Sequence, residues 1–175
     1  RTVVRGANFY LPADVSVRGV CSLEGDFDVR RRAVLRQYRY VIVEGPTGEP
    51  LEERYALRVR RGLDAGSMRA AARELQGVHD LASFATALEG ESSTVRQVYE
   101  VRILEGRGRL EILMSANAFL RHQVRNTVGQ LIQVGAGKCS VEDFARLVLE
   151  ARPASAGPAA PARGLCLMRV GYESA

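Results

Sequence analysis

The sequence predicts an α+β domain, in which helices pack on one face of a largely antiparallel sheet. Some segments alternate apolar and polar residues, as strands with one buried face do, and others space apolar residues three and four apart, as amphipathic helices do. They follow one another in the order strands, helix, hairpin, helix, helix, strand. We therefore expect residues 1–175 to form one domain of this class.

The composition is that of an ordinary globular chain, and no apolar run approaches the ~20 residues of a membrane span. No signal peptide is recognised and the chain does not open on Met, so we expect a fragment of a cytoplasmic protein without membrane contacts. The net charge is +5, and Lys138 is the one lysine among 25 basic residues. Either codon bias in a GC-rich genome or a polyanionic partner such as RNA explains this excess of arginine.

The cysteines and histidines do not indicate a metal site. Cys21, Cys139 and Cys166 are far apart and odd in number, so we expect small buried side chains in a reducing compartment. His79 and His122 have no metal-ligand partners at suitable spacing, and no nucleophile elbow occurs.

The first quarter of the chain predicts loops and strands. We expect a loop over residues 8–14, a strand over 15–23, a turn at 24–26 and a solvated basic cluster at 29–32. A strong strand follows at 38–43, because it is aromatic and β-branched.

Alternation in this strand divides its side chains between two faces. Tyr38, Tyr40 and Ile42 share one face, and Arg39, Val41 and Val43 share the other. We expect a turn-rich loop at 44–50 and a further strand at 52–60, paired with the first as an antiparallel hairpin.

The remaining elements have clear start and stop signals. Asp64 predicts the N-cap of a helix that ends at Gly77, and Ser140 caps a helix that runs to Ala151. Residues 95–104 and 109–114 predict a hairpin. The Ala- and Pro-rich segment 153–163 precedes a final strand at 164–172, so we expect it to be an ordered loop.

The segment 119–129 predicts a helix, because apolar residues recur at Leu120, Val124, Val128 and Leu131. Arg121 and Arg125 would then lie one turn apart at the edge of the apolar stripe. Their stems could lie along the helix flank with the charges in solvent, or an arginine could be held at the rim of a cleft and face an anion. The pattern alone leaves both interpretations open.

Four stretches together resemble the tRNA pseudouridine synthase A family. Residues 116–129 (Ala-Asn-Ala-Phe-Leu-Arg-His-Gln-Val-Arg-Asn-Thr-Val-Gly) are similar to the family's helix motif, and residues 36–42, which follow Asp26-Phe27, to its tyrosine strand. Residues 8–17 resemble the segment that ends the first half of the enzyme. Residues 156–165 resemble its closing loop and last strand.

This resemblance implies an enzyme that converts uridine to pseudouridine at positions 38 to 40 of the tRNA anticodon stem-loop. It implies a homodimer that binds tRNA across both subunits and uses neither metal nor cofactor. The family's tyrosine, which stacks on the flipped uracil, corresponds to Tyr38, and the arginine that pairs with the catalytic aspartate corresponds to Arg125. Asn126 is the motif neighbour, and Gly164 and Leu165 would line the pocket.

Two further residues keep open roles. Tyr40 belongs to the core or supports the pocket, and Arg121 contacts tRNA or lies on the surface. Without the resemblance, Tyr38 itself would be interpreted as core packing.

The sequence departs from the family in one serious respect. The family's nucleophilic aspartate lies in a Gly-Arg-Thr-Asp stretch of the first half, and none of the six aspartates follows Arg-Thr. We therefore expect the chain to be the C-terminal half of the enzyme and inactive by itself. Smaller departures are Asp28 in place of His, Arg31 in place of an aromatic residue and Gln37 in place of a basic one.

Two other functions compete with the enzyme. The chain could be an RNA-binding module without chemistry, although the RNP1 pattern of an RNA-recognition motif is missing. It could also serve mainly to dimerise.

Overall fold

The computed structural model describes residues 2–23, 25–48, 50–86, 88 and 93–173. The chain divides into two compact units, Arg1–Arg32 and Ala33–Ala175. Glu24 of the predicted turn at 24–26 and Glu49 of the predicted loop at 44–50 lie outside the described residues, as do residues 87 and 89–92. None of the described helices is long and apolar enough to cross a membrane.

The first unit differs from the sequence prediction. Helix α1 spans Thr2–Tyr10, so the predicted loop over 8–14 begins inside a helix, and the described residues 15–23 form no strand. The Asn8 side chain donates to the Val17 carbonyl at 2.8 Å and accepts from its N–H at 2.7 Å. Because Asn8 satisfies both backbone groups of Val17 locally, they need no neighbouring strand.

A turn at Asp28 ends this unit. Its carboxylate accepts the backbone N–H groups of Arg31 and Arg30, which lower the pKa of Asp28 below its usual value. The basic cluster 29–32 is exposed, as predicted.

The second unit is built on a six-stranded sheet. The strands are β1 Ala33–Glu44, β2 Leu57–Val59, β3 Gly77–Asp80, β4 Val95–Gly106, β5 Arg109–Ala116 and β6 Leu165–Tyr172. Their order in the sheet is β2-β1-β5-β4-β3, with β6 also paired to β1. Every strand pair except β1–β2 is antiparallel. The α+β class, the hairpin β4–β5 and the final strand are therefore confirmed.

The predicted antiparallel hairpin between 38–43 and 52–60 is wrong. Strand β2 is only three residues long and pairs in parallel with Ile42–Glu44. Residues 51–55 form turns, so the chain crosses back before β2 begins. The Leu63 N–H donates to the Glu44 side chain at 2.6 Å, which fixes the exit from β2 against the end of β1.

Three helices contribute to this unit: α2 Ala65–Arg73, α3 Gln123–Gly135 and α4 Val141–Glu150. The predicted caps are confirmed, because Asp64 accepts from the N–H groups of Gly66 and Ser67, and Ser140 forms a capping box with Asp143. Helix α2 ends before the predicted stop at Gly77.

The helices and one face of the sheet share a single core. The predicted alternation in β1 is confirmed on this face, since Tyr40 and Ile42 are fully buried. They pack in the same cluster as Met68 of α2, Val128 of α3 and Phe144 of α4.

Residues 158–161, which we call the strap, run alongside α3, and the segment 153–163 is ordered as predicted. The Ala160 N–H donates to the Arg125 carbonyl at 2.9 Å, and just before the strap the Ala156 N–H donates to the Ser83 carbonyl at 2.9 Å. A Cβ at Gly129 would collide with the Pro158 carbonyl oxygen. Glycine at position 129 therefore allows the strap its close approach to the helix.

We expect Gly129→Ala to lower the free energy of unfolding by about 1–3 kcal/mol, because the added methyl group forces the strap away from α3. Urea unfolding followed by circular dichroism measures this change. The matched control is Gly6→Ala in α1, where the new Cβ meets no atom within 4 Å. Equal stability of Gly129→Ala and the unchanged protein would contradict the packing described.

Candidate active site

The candidate site lies where β1, the start of α3 and the strap meet. Tyr38 and Tyr40 are two residues apart on β1, so their side chains share a face of the sheet. Tyr40 is fully buried, whereas Tyr38 is half-buried. The two tyrosines therefore have different surroundings.

Tyr40 is held by polar and steric contacts. Its hydroxyl donates to the Pro161 carbonyl at 2.7 Å. A Cβ at Gly164 would lie 2.7 Å from two atoms of the Tyr40 ring, so the backbone packs directly on that ring. Burial raises the pKa of Tyr40 to about 12, although the guanidinium groups of Arg125 and Arg163 oppose part of the rise. Tyr40 is therefore a neutral hydrogen-bond donor at physiological pH.

Tyr38 is held by apolar neighbours instead. Its cross-strand partners are Met114 on β5 and Leu167 on β6. The Phe119 ring contacts Tyr38 edge to face, with ring centroids 5.3 Å apart and an interplanar angle of 85°. Within the described part of the chain, the Tyr38 hydroxyl makes no hydrogen bond. These apolar contacts fix the position of the Tyr38 ring.

Arg125 lies in the first turn of α3 and is tied to the strap twice. Its Nε donates to the Ala160 carbonyl at 2.7 Å, and its own carbonyl accepts from Ala160 N–H at 2.9 Å. Among the described residues, no carboxylate forms an ion pair with Arg125. The bond from Nε orients the guanidinium, and the described residues offer its two Nη groups no carboxylate.

The predicted helix begins later than expected. Residues 119–122 precede α3, and His122 adopts a left-handed conformation with φ of 62°. The Gln123 side chain accepts the Leu120 N–H at 2.8 Å, which closes a turn ahead of the helix. The apolar spacing did not reveal this side-chain bond.

Arg121 therefore does not lie on the helix, and the expectation that it stands one helical turn from Arg125 is wrong. Its side chain is exposed, and its carbonyl accepts the Thr86 N–H at 3.2 Å. Its contact with tRNA stays a prediction.

Asn126 is buried and anchors α3 to the segment before residue 87. Its Nδ2 donates to the Phe84 carbonyl at 2.7 Å and to Thr86 Oγ1 at 3.1 Å. The same Thr86 hydroxyl lies 3.2 Å from His122 Nδ1. These bonds hold the start of α3 and therefore the backbone of Arg125. Contact of Asn126 with a substrate stays a prediction.

Gly164 and Leu165 lie beside Tyr40. Gly164 is buried against the ring, and Leu165 is the cross-strand neighbour of Tyr40. Their predicted role in lining a substrate pocket is not tested by these contacts.

The expectation of buried cysteines is wrong, because none of the three is fully buried. Cys21 and Cys166 are exposed, and Cys139 is half-buried. Cys166 follows the strand period, which turns its side chain away from the core side that its neighbour Leu165 faces. Among the described residues, no three His, Cys, Asp or Glu side chains are grouped as metal ligands.

Sequence reasoning assigned no role to Phe119, Thr86, Ala160 or Pro161. Phe119 lies inside the helix motif at 116–129, and this position was the one sequence signal that could have indicated an aromatic neighbour for Tyr38. The strap residues act through backbone carbonyls, and side-chain identity carries no signal for that.

Comparisons with known proteins identify the family of this chain. A sequence profile of a family described as tRNA pseudouridine synthase matches residues 71–173. The chain belongs to the tRNA pseudouridine synthase family. It is 46% identical to tRNA pseudouridine synthase A of Roseiflexus sp. strain RS-1, over 98% of this chain and 64% of that protein. The protein of the same name from Chloroflexus aurantiacus is 39% identical, over 98% of this chain and 63% of that protein.

The resemblance inferred from the sequence motifs is thus confirmed. The chain spans slightly less than two thirds of the length of these pseudouridine synthases, and it corresponds to their C-terminal part. The matched region includes α3, which carries Arg125, and β6, which packs beside Tyr40.

We expect Tyr40 to ionise with a pKa of about 12, because burial disfavours the phenolate. The folded state keeps this proton when the unfolded chain loses it at about pH 10. The stabilising contribution is therefore full below about pH 10 and is lost as the pH rises toward 12. Ultraviolet titration of tyrosinate, compared with Tyr40→Phe, checks this; an unchanged curve in the variant would contradict it.

Proposed function

We propose that this chain is part of an enzyme that isomerises uridine to pseudouridine at positions 38 to 40 of the tRNA anticodon stem-loop. The supporting observation is that Arg125 is fixed through Nε, with its remaining donors unpaired by any described carboxylate, and that its charge acts on Tyr40, which shares a face of β1 with the half-buried Tyr38. Membership of the family supports the reaction class.

The reaction moves the attachment point of uracil on ribose from N1 to C5. The bond between C1′ and N1 breaks, the bond between C1′ and C5 forms, C5 loses its proton and N1 gains one. The uracil must leave the base stack for this to happen, so the site has to hold a flipped base and relay a proton.

Tyr38 fits the first requirement. A flipped base loses its stacking partners, and an aromatic ring on a rigid strand replaces them at a gain of about 1–3 kcal/mol. The edge-to-face contact with Phe119 fixes the ring, and the unbonded hydroxyl is available to relay the C5 proton.

Arg125 fits a further role, that of holding the anion that attacks the nucleotide. In the family an aspartate attacks the nucleotide, and a carboxylate in a closed site stays ionised only beside a fixed cation. We propose that this carboxylate comes from a part of the protein outside these 175 residues, because no aspartate here follows Arg-Thr.

The proposal extends to the partners. The net charge of +5 suits an RNA backbone, and Arg121 is an exposed cation next to the site. Asn126, Gly164 and Leu165 are proposed to line the substrate site. A homodimer and a cytoplasmic location are proposed from the resemblance.

In the full-length protein we expect Arg125→Ala to lower the rate of pseudouridine formation by about 100-fold or more, because a fixed charge partner is lost. We expect Tyr38→Phe to lower it by about 10- to 100-fold while tRNA affinity is kept, because the stacking ring remains. Tritium release from C5-labelled anticodon stem-loops measures both rates.

The matched controls are Arg73→Ala and Tyr55→Phe, which change exposed side chains outside the site. Loss of activity in the controls as large as in the site variants would contradict the residue roles. Binding of tRNA without any pseudouridine from the unchanged protein would instead favour an RNA-binding module.

We expect the 175-residue chain alone to make no pseudouridine, because no described carboxylate reaches Arg125. Incubation with unmodified tRNA, followed by nucleoside analysis, tests this against the full-length protein as positive control. Pseudouridine formed by the isolated chain would refute the assignment of the nucleophile to another segment.

A further inference from the structure

Two consecutive carbonyls of the strap serve two different side chains. The Ala160 carbonyl accepts from Arg125 Nε at 2.7 Å, and the Pro161 carbonyl accepts from the Tyr40 hydroxyl at 2.7 Å. Because adjacent carbonyls belong to one short length of backbone, the position of either one constrains the other. Tyr40 is therefore coupled to Arg125 through two hydrogen bonds and one residue of chain.

The Tyr40 side of this link is the rigid side. Its ring is fully buried and packed against the Gly164 backbone, and its backbone lies in the middle of the pairing between β1 and β5. The phenol stays neutral up to high pH and so remains a donor. Such a group can define the position of a flexible segment.

The strap itself has few other attachments near Arg125. Residues 158–161 include two prolines, which donate no backbone hydrogen bond. In the described structure, the backbone N–H of Ala160 and the carbonyls of Ala160 and Pro161 make its bonds to α3 and β1. Loss of the Tyr40 hydroxyl would leave the strap bonded on its α3 side only.

We propose that Tyr40 is a positioning residue for Arg125: its hydroxyl fixes the strap, and the strap fixes the guanidinium for its anion. This rests on the proposed function insofar as the anion is the catalytic carboxylate. Tyr40 does not touch the substrate in this scheme and acts only through the Pro161 and Ala160 carbonyls.

The link itself is tested by hydrogen–deuterium exchange of the full-length protein, followed by mass spectrometry of peptides that cover 156–165. Tyr40→Phe keeps the ring and removes only the donor. We expect exchange at the Ala160 amide to become about fivefold faster, because one net hydrogen bond that holds the strap is lost. The matched control is Tyr99→Phe, which removes a hydroxyl bonded to the Val34 carbonyl at 3.1 Å on the same sheet.

The catalytic consequence is tested by a double-mutant cycle. In the unchanged background we expect Tyr40→Phe to lower kcat by about tenfold and to change KM for tRNA by less than about twofold, because Arg125 is misplaced only for the chemical step. In the Arg125→Lys background, which lacks the guanidinium Nε, the same change should lower kcat by less than about twofold.

The outcomes separate the two claims. Unchanged exchange at Ala160 in Tyr40→Phe would overturn the link, whatever the activity. Faster exchange with unchanged kcat, or equal losses in both arginine backgrounds, would overturn the positioning role. If the unchanged protein makes no pseudouridine, the proposed function and its catalytic consequence fall together, and the exchange measurement still decides whether Tyr40 holds the strap.

Discussion

The hydrogen bond from Arg125 Nε to the Ala160 carbonyl is the interaction on which the candidate site depends. A free arginine side chain carries about 2 kcal/mol of rotamer entropy, which must be lost before it can hold an anion in one place. The bond to the strap removes most of that freedom in advance. The packing of α3, with Gly129 open to the Pro158 carbonyl, brings the strap close enough for this bond to form.

The parts of the fold that could be predicted are those whose own residues decide them. The hairpin β4–β5 follows from alternation around a Gly-rich turn, and the Ser140–Asp143 capping box starts α4 within four residues. The parallel pairing of β2 could not be predicted, because it depends on where residues 45–56 cross back. Residues 15–23 alternate as a strand does, yet the side chain of Asn8, nine residues before Val17, hydrogen-bonds both the N–H and the carbonyl of Val17.

The site could be predicted in part, and chiefly through the resemblance. Local pattern left Arg125 between a solvated helix flank and an anion site, since both place it at the edge of an apolar stripe. The structure adds contacts from elements far apart in sequence: Phe119 beside Tyr38, Thr86 beside Asn126, and Pro161 beside Tyr40. Such long-range contacts have no periodicity, and the contact of Tyr40 with Pro161 is made to a backbone oxygen, so residue types gave little indication of them.

Burial explains why two tyrosines on one face of one strand differ in chemistry. The strap and Gly164 cover Tyr40, whose hydroxyl must then find a partner inside the protein, and burial raises its pKa to about 12. Tyr38 lies two residues before Tyr40 on β1, farther from this cover, and its ring contacts the Phe119 ring edge to face. Its hydroxyl has no partner among the described residues. A buried tyrosine that is already bonded can fix geometry but cannot exchange a proton with a ligand. The same cover therefore fits the positioning role that we propose for Tyr40, and Tyr38 remains the tyrosine that we propose for stacking on a base.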